Sequence, residues 1–168
     1  MAIRLNQKEE SIGVMTKLNR WIVLGFVSIL VAGGWAIWRA ADNADMQMRK
    51  KLLEQTRLVA DGINVDRIKA LSCSKSDLEQ PDYLRVKNQL GLLKEALGNC
   101  RFLYLMGRKA DGAIFFFLDN EPVGSKDESS AGQEYSEAPA EVRRVFDTRK
   151  EIVAGPIKDR WGTWVTGL

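Results

Sequence analysis

The stretch Asn99–Asn120 reads NCRFLYLMGRKADGAIFFFLDN, and its reading decides the fold. Two apolar runs, FLYLM and AIFFFL, flank a short polar turn in which Asp111-Gly112 suits positive backbone dihedrals. This is a β-hairpin signal. A hairpin with one wet face alternates apolar and polar residues, and these runs do not, so both faces must be covered. Strict alternation sets Tyr104 and Met106 on one face of the first strand and Leu103 and Leu105 on the other. In the second strand it sets Phe115, Phe117 and Asp119 opposite Ile114, Phe116 and Leu118.

Upstream of the hairpin lies Trp21–Trp38, WIVLGFVSILVAGGWAIW, 18 residues without a charge. At ~1.5 Å per residue it spans ~27 Å, close to the hydrocarbon thickness of a bilayer. Tryptophans near both ends and the bracketing Arg20 and Arg39 suit the two interfaces. A cleaved leader is the alternative, but the apolar run is long for one and no A-x-A site follows. We therefore expect a transmembrane helix over 21–41, a cytoplasmic tail over 1–20 and an extracytoplasmic domain over 42–168. Four basic residues precede the segment and five lie between Arg39 and Arg57, so orientation rests on the simpler arrangement of a short basic tail inside and a long domain outside. Ser28, Ala32, Ala36 and Ala40 recur every four residues. They form either ordinary membrane-helix composition or a close-packing stripe for a second copy of the chain.

From Asp42 to Leu71 there is no proline, and apolar residues at Met48, Leu52, Val59, Ile63 and Ile68 mark one amphipathic helix. We expect it to continue the membrane helix after a break near Ala41-Asp42-Asn43 and to cover one face of the hairpin. Asp82 is a candidate N-cap for a second helix, Tyr83–Leu97, ended by Gly98-Asn99. The polar run Glu121–Glu134 is long enough to be a lid. A third helix fits Pro139–Arg149, and strands fit Glu151–Ala154 and Gly162–Gly167, joined by GPIKDRW. The class is α+β on an antiparallel sheet.

Composition narrows the chemistry. Of 168 residues, 25 are Lys or Arg and 22 Asp or Glu, with a formal net charge of +3. Residues 1–41 carry five of the basic and two of the acidic residues, so the rest of the chain is neutral and lacks the field of a nucleic-acid binder. There is no histidine, which removes Ser-His-Asp and Cys-His catalysis and His-ligated metal. No nucleophile elbow or phosphate-cradling glycine loop occurs, and we expect neither an enzyme site nor a cofactor. Cys73 and Cys100 form either one disulfide, which would contribute about 3.5 kcal/mol in the chain-entropy model, or two separate thiols. The candidate ligand contacts are Tyr104, Met106, Phe117 and Asp119, on a face beneath the 121–134 run, with Asp159, Trp161 and Trp164, where a carboxylate sits beside indole rings. For Tyr104 and the two tryptophans plain core packing is the alternative, and for Asp119 the start of a turn.

The order of elements, together with CRFLYLMGRKADGAIFFFLDNEP and VAGPIKDRWGTWVTG, resembles the Cache-type, PAS-like extracytoplasmic sensor domains of bacterial membrane signalling proteins. The resemblance covers about residues 42–168. It implies a central antiparallel sheet with the long helix on one face and a small-molecule pocket on the other. It also implies a location in the bacterial inner membrane and a homodimer built through the transmembrane and juxtamembrane helices. On this reading the chain is the ligand-sensing input portion of a sensor histidine kinase whose output module and last strands are absent. A diguanylate cyclase or chemoreceptor sensor, or a membrane-anchored protein-interaction module without a small ligand, is the alternative. The expected partners are a small molecule, membrane lipid and a second copy, with no nucleic acid.

Overall fold

The computed structural model describes residues 6–168, with side chains from Asn19 onward. The expected 1–20 tail thus lies mostly outside the described side chains. The chain divides into two compact units, 1–48 and 49–168.

Helix α1 runs Asn6–Gly62. The expected break at Ala41-Asp42-Asn43 does not occur. Those residues carry neither the glycine nor the proline that interrupts a helix, and a short Asp-Asn pair alone does not stop one. In the first unit α1 carries, among the described residues, the one segment long and apolar enough to cross a membrane. Its side chains, including Ser28, Ala32, Ala36 and Ala40, are exposed. The Ser28 hydroxyl donates back to the Leu24 carbonyl at 2.8 Å.

In the second unit α1 ends at Gly62, and a short helix α2 follows at Val65–Lys69. The corner is built by Asn64, whose side-chain oxygen accepts from the backbone N–H of Asp66 at 3.0 Å and of Arg67 at 3.2 Å. Helix α3, Pro81–Leu97, starts earlier than expected, with Pro81 in its first turn and Gln80 as N-cap. Asp82 is therefore not the cap; it lies in the first turn and pairs with Arg85 at 3.3 Å.

Strands β1 (Tyr104–Arg108) and β2 (Ile114–Asp119) form the expected antiparallel hairpin. The turn from Lys109 to Ala113 is closed by a Lys109 N–H to Ala113 carbonyl bond at 2.9 Å, and only Gly112 has positive φ. Strict alternation fails inside it. Leu105 pairs with Leu118 but Met106 pairs with Phe116, so Phe117 is an extra residue in β2. The bulge sends Phe116 and Leu118 to different sides. Leu118 joins Val59, Tyr83, Val86 and Leu90 in one core cluster. Phe116 joins Ile114, Tyr135, Ala138 and Val142 in another. Both faces are covered, but mainly by α3 on the first side and by α4 (Ala140–Thr148) with its preceding loop on the second.

Strands β3 (Val153–Asp159) and β4 (Gly162–Gly167) make a second hairpin. GPIKDRW is thus mostly strand rather than connector. The Gly155–Pro156 pair falls where the register shifts between Ala154 and Ile157, so the missing proline N–H leaves no gap in the ladder. The two hairpins are separate two-stranded sheets and not one central sheet.

The base of the second hairpin lies on α1. Arg49 donates to the Gly155 carbonyl at 3.0 Å, Arg57 pairs with Glu151, and Gly167 sits against Thr56 and Leu52 so closely that a Cβ there would meet the Thr56 hydroxyl. Gly167→Val is expected to lower stability by about 1–3 kcal/mol, as overpacking does. Urea unfolding of the chain in detergent micelles reads this, with Thr56→Ala in the same chain restoring part of the loss; an unchanged midpoint would contradict the close seat.

Candidate functional site

Six rings gather where the two hairpins meet. Tyr104 and Phe116 lie edge to face at 5.5 Å, Phe116 and Trp161 at 5.9 Å, and Tyr135 and Trp161 at 6.2 Å, while Phe116 and Tyr135 are tilted by 37° at 5.2 Å. The sixth, Trp164, stands edge-on to Phe102 at 5.1 Å. Such pairs prefer these offset and edge-on arrangements because ring faces are negative and edges positive.

Asp159 organises the group. Its Oδ1 accepts from the backbone N–H of Trp161 at 2.9 Å and of Gly162 at 3.0 Å, and from the Trp164 indole at 3.0 Å. Its Oδ2 accepts from the Tyr135 hydroxyl at 3.3 Å. The two tryptophans that a simple strand would send to opposite faces are thereby tied to one carboxylate. Burial and then the Asp159 charge push the Tyr135 phenol upward. Burial also raises Tyr104, although the Thr166 side chain bonds to it. Outside the rings, the Arg160 guanidinium lies 4.6 Å from the Trp161 ring centre and pairs with Glu137 at 2.9 Å.

The other predicted residues go elsewhere. Asp119 is buried beside α3, where the Lys87 ammonium bridges Asp119 Oδ1 and Glu128, each at 3.2 Å. The Ser129 N–H donates to Asp119 Oδ2 at 2.6 Å. Burial pushes the Asp119 carboxyl up, against the pull of the Ser129 N–H and of Lys87. Tyr83, with no exposure, is pushed up to about 12 by burial and by the Glu128 and Asp119 charges. Met106 and Phe117 join Leu105 on one wall of an open apolar groove of about 220 Å³, with Ile63, Val65 and Ile68 on the other. That groove is on the α1–α2 side, not beneath the 121–134 run.

Nor does the 121–134 run cover a pocket as a lid. Gly132, Gln133 and Tyr135 bond along the outer edge of β2, and Ser129 and Glu128 are held by Asp119 and Lys87. The face it was expected to roof is filled by Phe116, 3% exposed, and its aromatic neighbours. Cys73 and Cys100 stand as two separate thiols, each raised by burial, and Cys100 donates to the Phe102 carbonyl at 3.1 Å. Among the described residues no group of His, Cys, Asp and Glu could hold a metal ion.

Sequence reading missed Tyr135 and Lys87. The first is the lone ring in the polar stretch 121–139. The second lies one turn after Tyr83 on the apolar stripe of α3, where a lysine calls for a buried counter-charge. Comparisons with protein-family models, curated proteins and solved structures found no match, so the functional reading rests on residues and geometry.

Glu121 gives a pH test of the loop's anchorage. Burial acts to raise its carboxyl, but Lys94 at 3.0 Å and Arg101 at 2.9 Å outweigh it and hold the group below the ordinary 4.5. A depressed folded pKa contributes stability above the unfolded value and loses it as pH falls through the folded one. Glu121→Gln should therefore melt below wild type at pH 7, and the gap should close as pH drops below 4.5. A gap independent of pH in melting curves between pH 7 and 3 would refute this.

Proposed function

We propose that the chain is the ligand-sensing input portion of a transmembrane signalling protein of the bacterial cell membrane, with residues 42–168 outside the cytoplasm and a histidine kinase as its output. A diguanylate cyclase or chemoreceptor output fits the same input. The observation that carries the reading is the placement of the β3–β4 hairpin. Its turn holds Asp159 and Trp161 in the aromatic cluster, and its base is held on α1 by Arg49, Thr56 and Arg57. A ligand seated at the turn acts on one end of a short rigid ribbon whose other end bears on the helix that also carries Trp21–Trp38. The ligand transmits a signal only if it prefers one of two hairpin positions over the other. The resemblance of residues 100–122 and 153–167 to PAS-like sensors agrees with this, as does the apolar segment of α1.

A second reading is favoured by the open groove at the α1–α2 corner. A membrane-anchored module could use that apolar surface to hold a protein partner and need no small ligand.

The test uses the chain in lipid nanodiscs, with the native cysteines replaced by serine and spin labels at Lys50 and Lys158. A metabolite library is screened by thermal shift, and hits are followed by the label-to-label distance. The sensing reading expects at least one stabilising compound that changes that distance. A library without a stabilising compound, or stabilisers that leave the distance fixed, would favour the interaction module.

A further inference from the structure

We infer that the buried Lys87–Asp119–Glu128 cluster is a proton-uptake site: in acid Asp119 takes one proton, the cluster becomes neutral, and the 121–134 run sits more firmly on α3 than at neutral pH. This property is separate from ligand sensing.

The charges of the cluster do not balance. The Lys87 ammonium donates to Asp119 Oδ1 at 3.2 Å, to the Asp119 carbonyl at 3.3 Å and to Glu128 Oε1 at 3.2 Å, which uses all three of its N–H bonds. The Lys87, Asp119 and Glu128 side chains are 11%, 5% and 7% exposed. Among the described residues Lys87 is the one cation within ion-pair distance of either carboxylate. Two carboxylates and one ammonium leave a surplus negative charge where water is largely excluded, and a proton removes it.

The surrounding elements supply no second cation. From α3 come Lys87 and the Tyr83 phenol. From the 121–134 run come Glu128 and the backbone N–H groups of Ser129 and Glu121, which donate to Asp119 at 2.6 and 3.1 Å. The Glu121 carboxylate itself turns to Lys94 and Arg101. Asp77 also acts on Tyr83, as a further negative charge. Burial accordingly outweighs the Ser129 N–H and Lys87, and Asp119 takes its proton above the ordinary 3.8.

The added proton has a place to bond. Tyr83 has no exposure, and its hydroxyl finds no hydrogen-bond partner among the described residues, although the Glu128 and Asp119 charges act on it. A protonated Asp119 brings an O–H donor into the cluster, and a phenol oxygen accepts such a bond. An unpaired buried hydroxyl is unfavourable, so pairing it adds to the gain.

A carboxyl raised in the fold contributes stability below its unfolded value and loses it as pH rises through the folded one. Asp119 therefore gains as pH falls from 7 toward 3.8, whereas Glu121, two residues on, loses below 4.5. As the Glu121 ion pairs weaken in acid, the neutral Asp119 cluster takes over the hold on the run.

The chain in detergent micelles, carrying 13C-carboxyl aspartate, is titrated from pH 8 to 3 by NMR. The Asp119 resonance is identified by its loss in Asp119→Glu or Asp119→Asn. Its midpoint is expected above 3.8, and lower in Glu128→Gln, which removes the surplus charge but keeps an oxygen for Lys87. Hydrogen exchange of the Ser129 amide, corrected for intrinsic rates, reads the seat of the run. Its protection should rise between pH 7 and 5, by up to about tenfold for each pH unit by which the midpoint exceeds 3.8. A midpoint at or below 3.8, equal midpoints in wild type and E128Q, or Ser129 protection that falls or stays level over that range each overturns the proton-uptake site.

Discussion

The second unit depends on one extra residue. Phe117 has no partner across the hairpin, and because it is there the apolar residues of β2 divide between two cores instead of crowding one. A regular strand would put Phe116 and Leu118 side by side. With the bulge, Leu118 closes against Tyr83, Val86 and Leu90 of α3, while Phe116 is free to serve as the centre of the ring cluster. Each core is small, and neither would be dry alone; the shared hairpin makes each the backing of the other.

The second hairpin has a different logic. Its turn is set by a single carboxylate and its base by close contact with a helix. Between them run two strands of seven and six residues. A ribbon this short connects the turn beside the ring cluster to the face of α1 on which its base rests. The connector between β2 and α4 serves the opposite purpose. Lys87, Lys94 and Arg101 hold its acids to α3 and to the start of the hairpin, so that part of the domain is fastened rather than poised.

Much of this was legible in the residues. Unbroken apolar runs around Asp111-Gly112 announced a hairpin covered on both sides, and Gly98-Asn99 announced the end of α3. The membrane-length segment needed only its 18 uncharged residues. The failures share a cause. The bulge at Phe117, the passage of β3 through Gly155-Pro156 and the seat of Gly167 on Thr56 are settled by residues far away in the chain, and no local pattern encodes them. At the site, Asp159, Trp161 and Trp164 were legible because a carboxylate beside indoles is rare. Tyr104 was found through its hydroxyl in an apolar run. Asp119 was assigned to the wrong company, because its partner Lys87 comes from another helix. Tyr135 was overlooked because its immediate neighbours in the chain, Gln133, Glu134, Ser136 and Glu137, are polar.

The attachment of the second hairpin and its flank to α1 includes contacts of different physical kinds. The Arg57–Glu151 pair is solvent-exposed, with side chains 57% and 37% accessible, whereas Gly167 on Thr56 is plain steric contact. Dissolved electrolyte weakens the first and ignores the second, over a Debye length that shrinks from about 30 Å at 0.01 M to about 8 Å at 0.15 M. Rising salt thus weakens the Arg57–Glu151 contact, while the Arg49 bond to the Gly155 carbonyl and the seat of Gly167 persist.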